Sequence, residues 1–200
     1  MNDTIDYYNN NTENYFQTTV NADLSESYER FLKHIPEKGR IIDIGCGSGR
    51  DVAAFTSRGY RAEGLDASAE LVQVAKQYTG ALIIQADMTT WHAEEPFDGI
   101  WCCASLLHLN DEGIKSFFEN LKYNLKAGGA IYVSVKSGIE TGFDEKGRFM
   151  RNFTEDELKE WFDRAGTEVV ESWCTGDQLD RTGFCWINMI GIKTSDSEIV

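Results

Sequence analysis

The sequence predicts an α/β fold with a doubly wound, mostly parallel sheet, and three observations carry that expectation. Strand-length apolar runs alternate with segments whose apolar residues recur at helical spacing. A turn rich in glycine, Asp43-Ile44-Gly45-Cys46-Gly47-Ser48-Gly49, follows the apolar pair Ile41-Ile42 and opens a helical segment. The run from Ile100 to Leu107 is almost continuously apolar, as a strand covered on both faces of a parallel sheet should be. Strands alternating with helices imply right-handed crossovers, with ligands outside the carboxyl ends of the strands.

Each element has its own signal. Leu24, Tyr28, Phe31, Leu32 and Ile35 lie at helical spacing, and Pro36 with Gly39 stops that helix before a strand over residues 40–44. After the glycine turn, residues 51–58 read as a helix ended by Gly59, and 60–65 as a second strand. Leu71, Val74, Ala75 and Tyr78 mark the next helix, and residues 81–86 the third strand. The apolar run at 100–107 is the fourth, central strand. Asn110 opens a helix with Ile114, Phe117, Phe118, Leu121 and Leu125 on one stripe, and Gly128-Gly129 turns into a strand over 130–135. Thr154-Glu155-Asp156-Glu157 is a capping box for a helix burying Leu158, Trp161, Phe162 and Ala165. Two late strands follow, at 168–173 and 184–192.

Composition bounds the function. With 200 residues, 42% hydrophobic and only 2 prolines, the chain suits one domain that buries roughly 70% of the surface its unfolded form exposes. Residues 1–38 are expected to form an N-terminal flap and helix, and 39–200 the α/β core. A net charge of -14 argues against a nucleic-acid partner, which needs clustered Lys and Arg, and favours a small-molecule substrate. The five cysteines show no C-x-x-C pair and no His-Cys spacing suited to zinc, so reduced thiols and no metal are expected. The polar N-terminus lacks a secretion signal, and no window approaches the roughly 20 apolar residues of a membrane span. A cytoplasmic monomer or homodimer is the expectation.

The glycine turn carries the chemistry. Glycine takes positive φ and lets backbone approach a ligand closely, so the loop fits a bound nucleoside-like molecule. A dinucleotide loop, G-x-G-x-x-G, would require a third glycine where this chain has Arg50. A phosphate-cradling loop would end in Gly-Lys-Ser/Thr, whereas this one ends in Gly49-Arg50-Asp51.

The pattern D-x-G-x-G-x-G closely resembles motif I of the class I S-adenosylmethionine-dependent methyltransferases, and the order of pieces from Tyr7 to Ile192 is similar to small bacterial members of that family. The resemblance implies a Rossmann-like sheet of seven strands in the order 3-2-1-4-5-7-6, strand seven antiparallel, with helices on both faces. It implies that Gly45, Cys46, Gly47 and Gly49 wrap S-adenosyl-L-methionine, and that Asp43 lies under its methionyl amine. Asp66, in a stretch that looks like the second cofactor motif and includes Ala67, would accept from both ribose hydroxyls; a helix N-cap is the alternative. Asp87 would accept from the adenine amine and Met88 cover the base, unless they are a strand-end turn and a core side chain.

Arg50 is the candidate partner for the methionine carboxylate, and pairing with Asp51 is the competing role. Tyr7, Tyr8, Tyr15 and Phe16 resemble an aromatic flap over the cofactor, with Tyr15 foremost, against a frayed tail. Cys103 is expected to contribute backbone, because a thiol in an apolar strand is held protonated. His108 is the candidate base, since imidazole titrates near neutrality, at about 6.5, and a satisfied structural histidine is the competing role. Lys136, Arg148, Arg151 and Arg181 would select an anionic acceptor if turned inward, or pair with loop carboxylates if not.

The expected activity is methyl transfer to O, N or S of a small molecule by in-line displacement, releasing S-adenosyl-L-homocysteine. A nicotinamide-dinucleotide oxidoreductase and a non-catalytic cofactor-binding module are the alternatives.

Overall fold

The computed structural model describes residues 2–176 and 183–194. Its main sheet has seven strands in the order β3-β2-β1-β4-β5-β9-β8. These are β1 (Arg40–Ile44), β2 (Arg61–Asp66), β3 (Ile83–Gln85), β4 (Phe97–Cys103), β5 (Leu125–Ser137), β8 (Thr167–Thr175) and β9 (Cys185–Lys193). The first five are mutually parallel, while β9 runs antiparallel to β5 and β8. A two-stranded hairpin, β6 (Gly142–Phe143) with β7 (Phe149–Met150), stands apart from the sheet. The Rossmann-like order expected for this chain, with its last strand antiparallel, is the one observed.

The helices are α1 (Asn2–Asn10), α2 (Thr12–Thr19), α3 (Ser25–Leu32), α4 (Arg50–Ser57), α5 (Ala69–Thr79), α6 (Asp111–Asn124) and α7 (Glu155–Arg164). They cover both faces of the sheet, and alternation along the strands shows how. Ile41 of β1 joins Trp101, Tyr132 and Ile190 beneath Tyr28 and Phe31 of α3 and Phe55 of α4. Its neighbour Ile42 points the other way, to Ile100, Val133 and Met189 under Phe117 and Phe118 of α6 and Phe162 of α7. Burial on both faces removes any polar alternation from these strands. At the centre, Trp101 stacks on Tyr132 with ring centroids 3.7 Å apart and planes 14° from parallel. Among the described residues no helix is long and apolar enough to cross a membrane.

Four local expectations are corrected. The apolar run to Leu107 is not one strand: β4 ends at Cys103, Ala104 takes φ +56°, and Leu106–His108 forms a 3-10 turn. Leu106 and Leu107 are apolar because they are buried in the α6 face, which periodicity does not distinguish from strand burial. Residues 81–86 shorten to β3. The strand placed at 130–135 begins earlier, at Leu125, and its pairing with β4 is irregular between Phe97 and Gly99. The polar segment before residue 20 forms α1 and α2, which derive their order from packing on α5 and on each other rather than from a strong apolar stripe.

Candidate active site

The glycine loop leaves β1 by bending over its neighbour strand. The N–H groups of Gly45 and Cys46 both donate to the Leu65 carbonyl of β2, at 2.7 and 3.0 Å. Gly45 and Gly47 then take φ of +79° and +52°, in the left-handed region that costs a side chain free energy. A Cβ on Gly45 would stand 2.3 Å from the Ser105 Cβ, and one on Gly47 would stand 2.9 Å from the Tyr15 ring. The loop is thus held close beneath two other elements, and only glycine allows it.

Asp66, the last residue of β2, ties this loop to the next one. One carboxylate oxygen accepts from the Gly47 N–H at 2.9 Å and the other from the Ser68 N–H at 2.9 Å. Burial nevertheless raises its pKa, since those bonds only partly offset desolvation. The N-cap of α5 is Ser68, whose hydroxyl accepts from the Leu71 N–H at 3.2 Å, so Asp66 does not perform that task. At the end of β3, one oxygen of Asp87 accepts both the N–H and the hydroxyl of Thr89, at 2.8 and 2.7 Å.

These groups surround one cavity at the carboxyl ends of the parallel strands. Of the residues expected to bind a cofactor, Tyr15, Gly45, Gly47, Asp66, Ala67, Asp87 and Met88 line it. Asp43, Cys46, Gly49, Arg50 and Cys103 do not line it. Gly49 instead caps α4 with φ +80°. Cys46 packs with Val52, Val72, Ala75 and Ile83, and its thiol is pushed well up by burial. Burial likewise pushes the Cys103 thiol up to about 12, and its Sγ meets an Arg50 nitrogen at 3.8 Å.

Two carboxylates beneath the loop are handled in opposite ways. Arg50 grips Asp51 with two nitrogens, at 2.6 and 2.9 Å, and Asp51 also accepts from the Trp101 indole at 2.9 Å and from the Tyr28 hydroxyl. Asp51 is desolvated, yet this set of donors holds its pKa below the ordinary carboxylate value. Asp43 is equally buried, and among the described residues one of its oxygens has no hydrogen-bond partner. Burial, with Asp51 nearby, holds Asp43 well above the ordinary value.

His108 also lines the cavity, from the 3-10 turn. Its Nδ1–H donates to the Phe149 carbonyl at 2.8 Å, and its Nε2 accepts from the Tyr8 hydroxyl at 2.9 Å. Burial lowers its pKa to about 4, so it is neutral at pH 7. Tyr8 comes from α1, which is also fastened by Thr4 to the Phe149 N–H and by Asn9 to the Ser68 hydroxyl.

The four cations expected near an acceptor are placed differently. Arg148 directs two nitrogens to Asp144, at 2.9 and 2.6 Å, and a third to the Tyr8 oxygen at 3.3 Å. Arg151 is bound by Asp111 and Glu157 and lies over Phe153, which fastens β7 to α6 and α7. Lys136 is buried against the Phe184 and Trp186 rings. None of these three lines the cavity. Arg181 lies outside the described residues.

A family model described as a methyltransferase domain matches residues 16–172. The chain belongs to that family. Among its relatives, the ubiquinone biosynthesis O-methyltransferase of Xylella fastidiosa is 31% identical over 111 residues, covering 52% of this chain and 44% of the relative. The trans-aconitate 2-methyltransferase of Rhizobium etli is 32% identical over 104 residues, covering 50% of this chain and 40% of the relative. The chain therefore spans less than half the length of these curated relatives. The fold matches the Burkholderia thailandensis 1,6-didemethyltoxoflavin-N1-methyltransferase, solved with its namesake substrate and S-adenosylhomocysteine. That likeness has a TM-score of 0.75 at 20% identity, over 95% of this chain and 88% of that one.

Family motifs lead to the loop and the strand ends, but other lining residues carry no motif. Tyr8, rather than Tyr15 alone, lines the cavity, and its sequence signal is only one tyrosine among four nearby aromatics. Asp51 stands out in sequence only as the neighbour of Arg50. Ala104 carries a left-handed φ at the cavity edge, which its sequence context does not announce.

Proposed function

We propose that this protein is an S-adenosylmethionine-dependent methyltransferase that acts on a small molecule by in-line displacement. The observation that carries this reading is the convergence on one cavity of the left-handed glycine loop, the strand-end carboxylates Asp66 and Asp87, and Met88. In this reading the backbone at Gly45 and Gly47 accommodates the nucleoside, Asp66 takes the ribose hydroxyls, Asp87 the adenine amine, and Met88 the face of the base.

When bound, S-adenosylmethionine supplies a methyl group already activated on a sulfonium. The chain's own work is then orientation and exclusion of water, which together supply several kcal/mol toward the barrier. Tyr8 and Tyr15 line the cavity from α1 and α2. Arg50, engaged by Asp51, acts by keeping that carboxylate charged beneath the loop, while His108 stands on the acceptor side as a neutral imidazole able to receive a proton.

Calorimetry with S-adenosylhomocysteine tests this. We expect binding by the unaltered protein and a loss of about 1–3 kcal/mol in Asp66→Ala, the usual cost of removing hydrogen bonds of a charged group. Tight binding of a nicotinamide dinucleotide with none of S-adenosylhomocysteine would overturn the function. Unchanged affinity in the variant would overturn the role of Asp66.

A further inference from the structure

His108 has no nitrogen left for a substrate. Its Nδ1–H is spent on the Phe149 carbonyl and its Nε2 on the Tyr8 hydroxyl, so a proton from the cavity reaches the imidazole only through Tyr8. The Tyr8 oxygen lies within 3.3 Å of an Arg148 nitrogen, which favours negative charge on it during a transfer. Among the described residues lining the cavity there are the carboxylates of Asp66 and Asp87 but no Lys or Arg. The apolar groups of Ile5, Ala104 and Leu109 line the same cavity.

Resting on the methyltransferase reading, we infer that the acceptor is an uncharged hydroxyl compound, and that its proton leaves through Tyr8 onto Nε2 of His108. The acceptor oxygen bonds the methyl carbon as the carbon–sulfur bond breaks, the electron pair remaining on sulfur. The acceptor's O–H proton passes to the Tyr8 oxygen while the Tyr8 proton passes to Nε2. The products are a methyl ether, a thioether and an imidazolium whose Nδ1–H still rests on Phe149.

The imidazole's environment suits oxygen better than nitrogen. Desolvation, with Arg148 and Lys136 nearby, holds its pKa down to about 4 despite Asp144 and the Phe149 carbonyl. A hydroxyl turns strongly acidic as it gains a methyl, so even this weak base takes its proton. A neutral amine attacks through its lone pair and can shed its proton to water afterwards, so it has no need of the relay that a hydroxyl requires.

Nitrogen-15 spectra of histidine-labelled protein test the relay without any acceptor, with His108→Asn assigning the signal. At pH 7 we expect a neutral His108 protonated at Nδ1, with the bare Nε2 signal shifting in Tyr8→Phe. An imidazolium, or a proton on Nε2, overturns the relay. Turnover to S-adenosylhomocysteine is then measured with catechol and benzyl alcohol against benzylamine. We expect the hydroxyl compounds to react. In Tyr8→Phe and His108→Asn we expect kcat to fall about 100-fold, and the double variant to fall no further than either. Turnover of the amine alone or of no hydroxyl compound, full activity in Tyr8→Phe, or multiplicative losses would each overturn the inference. Absence of S-adenosylhomocysteine binding by the unaltered protein would instead remove the reading beneath it.

Discussion

Individual side chains in this site are set by desolvation and by what relieves it. Asp43 and Asp51 are both buried, yet the first is held well above the ordinary carboxylate pKa and the second below it. The difference is the set of donors: Asp51 has a guanidinium, an indole and a phenol, while one Asp43 oxygen has nothing. His108 shows the same effect with opposite sign, and a pH dependence follows. An unfolded chain protonates this histidine near its ordinary value of 6.5, whereas the folded chain resists until about 4. The unfolded state therefore binds more protons across that window, so His108 contributes stability above 6.5 that is lost as pH falls toward 4. Denaturant unfolding between these limits is expected to show a flatter stability curve for His108→Asn than for the unaltered protein; parallel curves would contradict the assignment. At this scale Asp66 and Asp87 were legible, because an acid closing an apolar strand is visible in sequence. The pairing of Tyr8 with His108, 100 positions away, was not.

Among the elements, α3, α4 and β4 are joined by one buried carboxylate. Asp51 of α4 binds Tyr28 of α3 and Trp101 of β4, and Arg50 is its counter-charge. Asp51→Ala would strip the partner from a mostly buried guanidinium and from two ring donors. Loss of one member of such a pair typically costs about 3–5 kcal/mol, to be read as a lower denaturant midpoint at unchanged slope. A loss below about 1 kcal/mol would place Asp51 among exposed pairs instead. The stripes of α6 and α7 were legible because each buries a wide face on the sheet. Helices α1 and α2 were not, since they carry few apolar residues and depend on contacts such as Thr4 with Phe149. The β6–β7 hairpin escaped notice for a similar reason: its strands are two residues each, too short for any alternation to register.

For the whole molecule, the proposed ligand is a stability term as well as a substrate. It binds only where the glycine loop, the strand ends and α1 come together, so the unfolded chain has no comparable site. S-adenosylhomocysteine at 100 times its Kd is expected to raise the unfolding free energy by about 2.7 kcal/mol. For a chain of this size that is a rise in Tm of roughly 5–10 °C, checked by thermal melts across a ligand titration. An unmoved Tm at that ratio would contradict binding to the folded state. The sequence by itself determined the α/β class, the glycine loop and the acids at the strand ends, because these depend on local periodicity, backbone freedom and neighbours within a few residues. Only the tertiary structure decided that Arg148 and Arg151 turn to carboxylates instead of the cavity, that Asp43 keeps an unmatched oxygen, and that His108 is reached through Tyr8. Those outcomes depend on which groups burial brings together from distant parts of the chain, and pairing and desolvation are properties of that proximity.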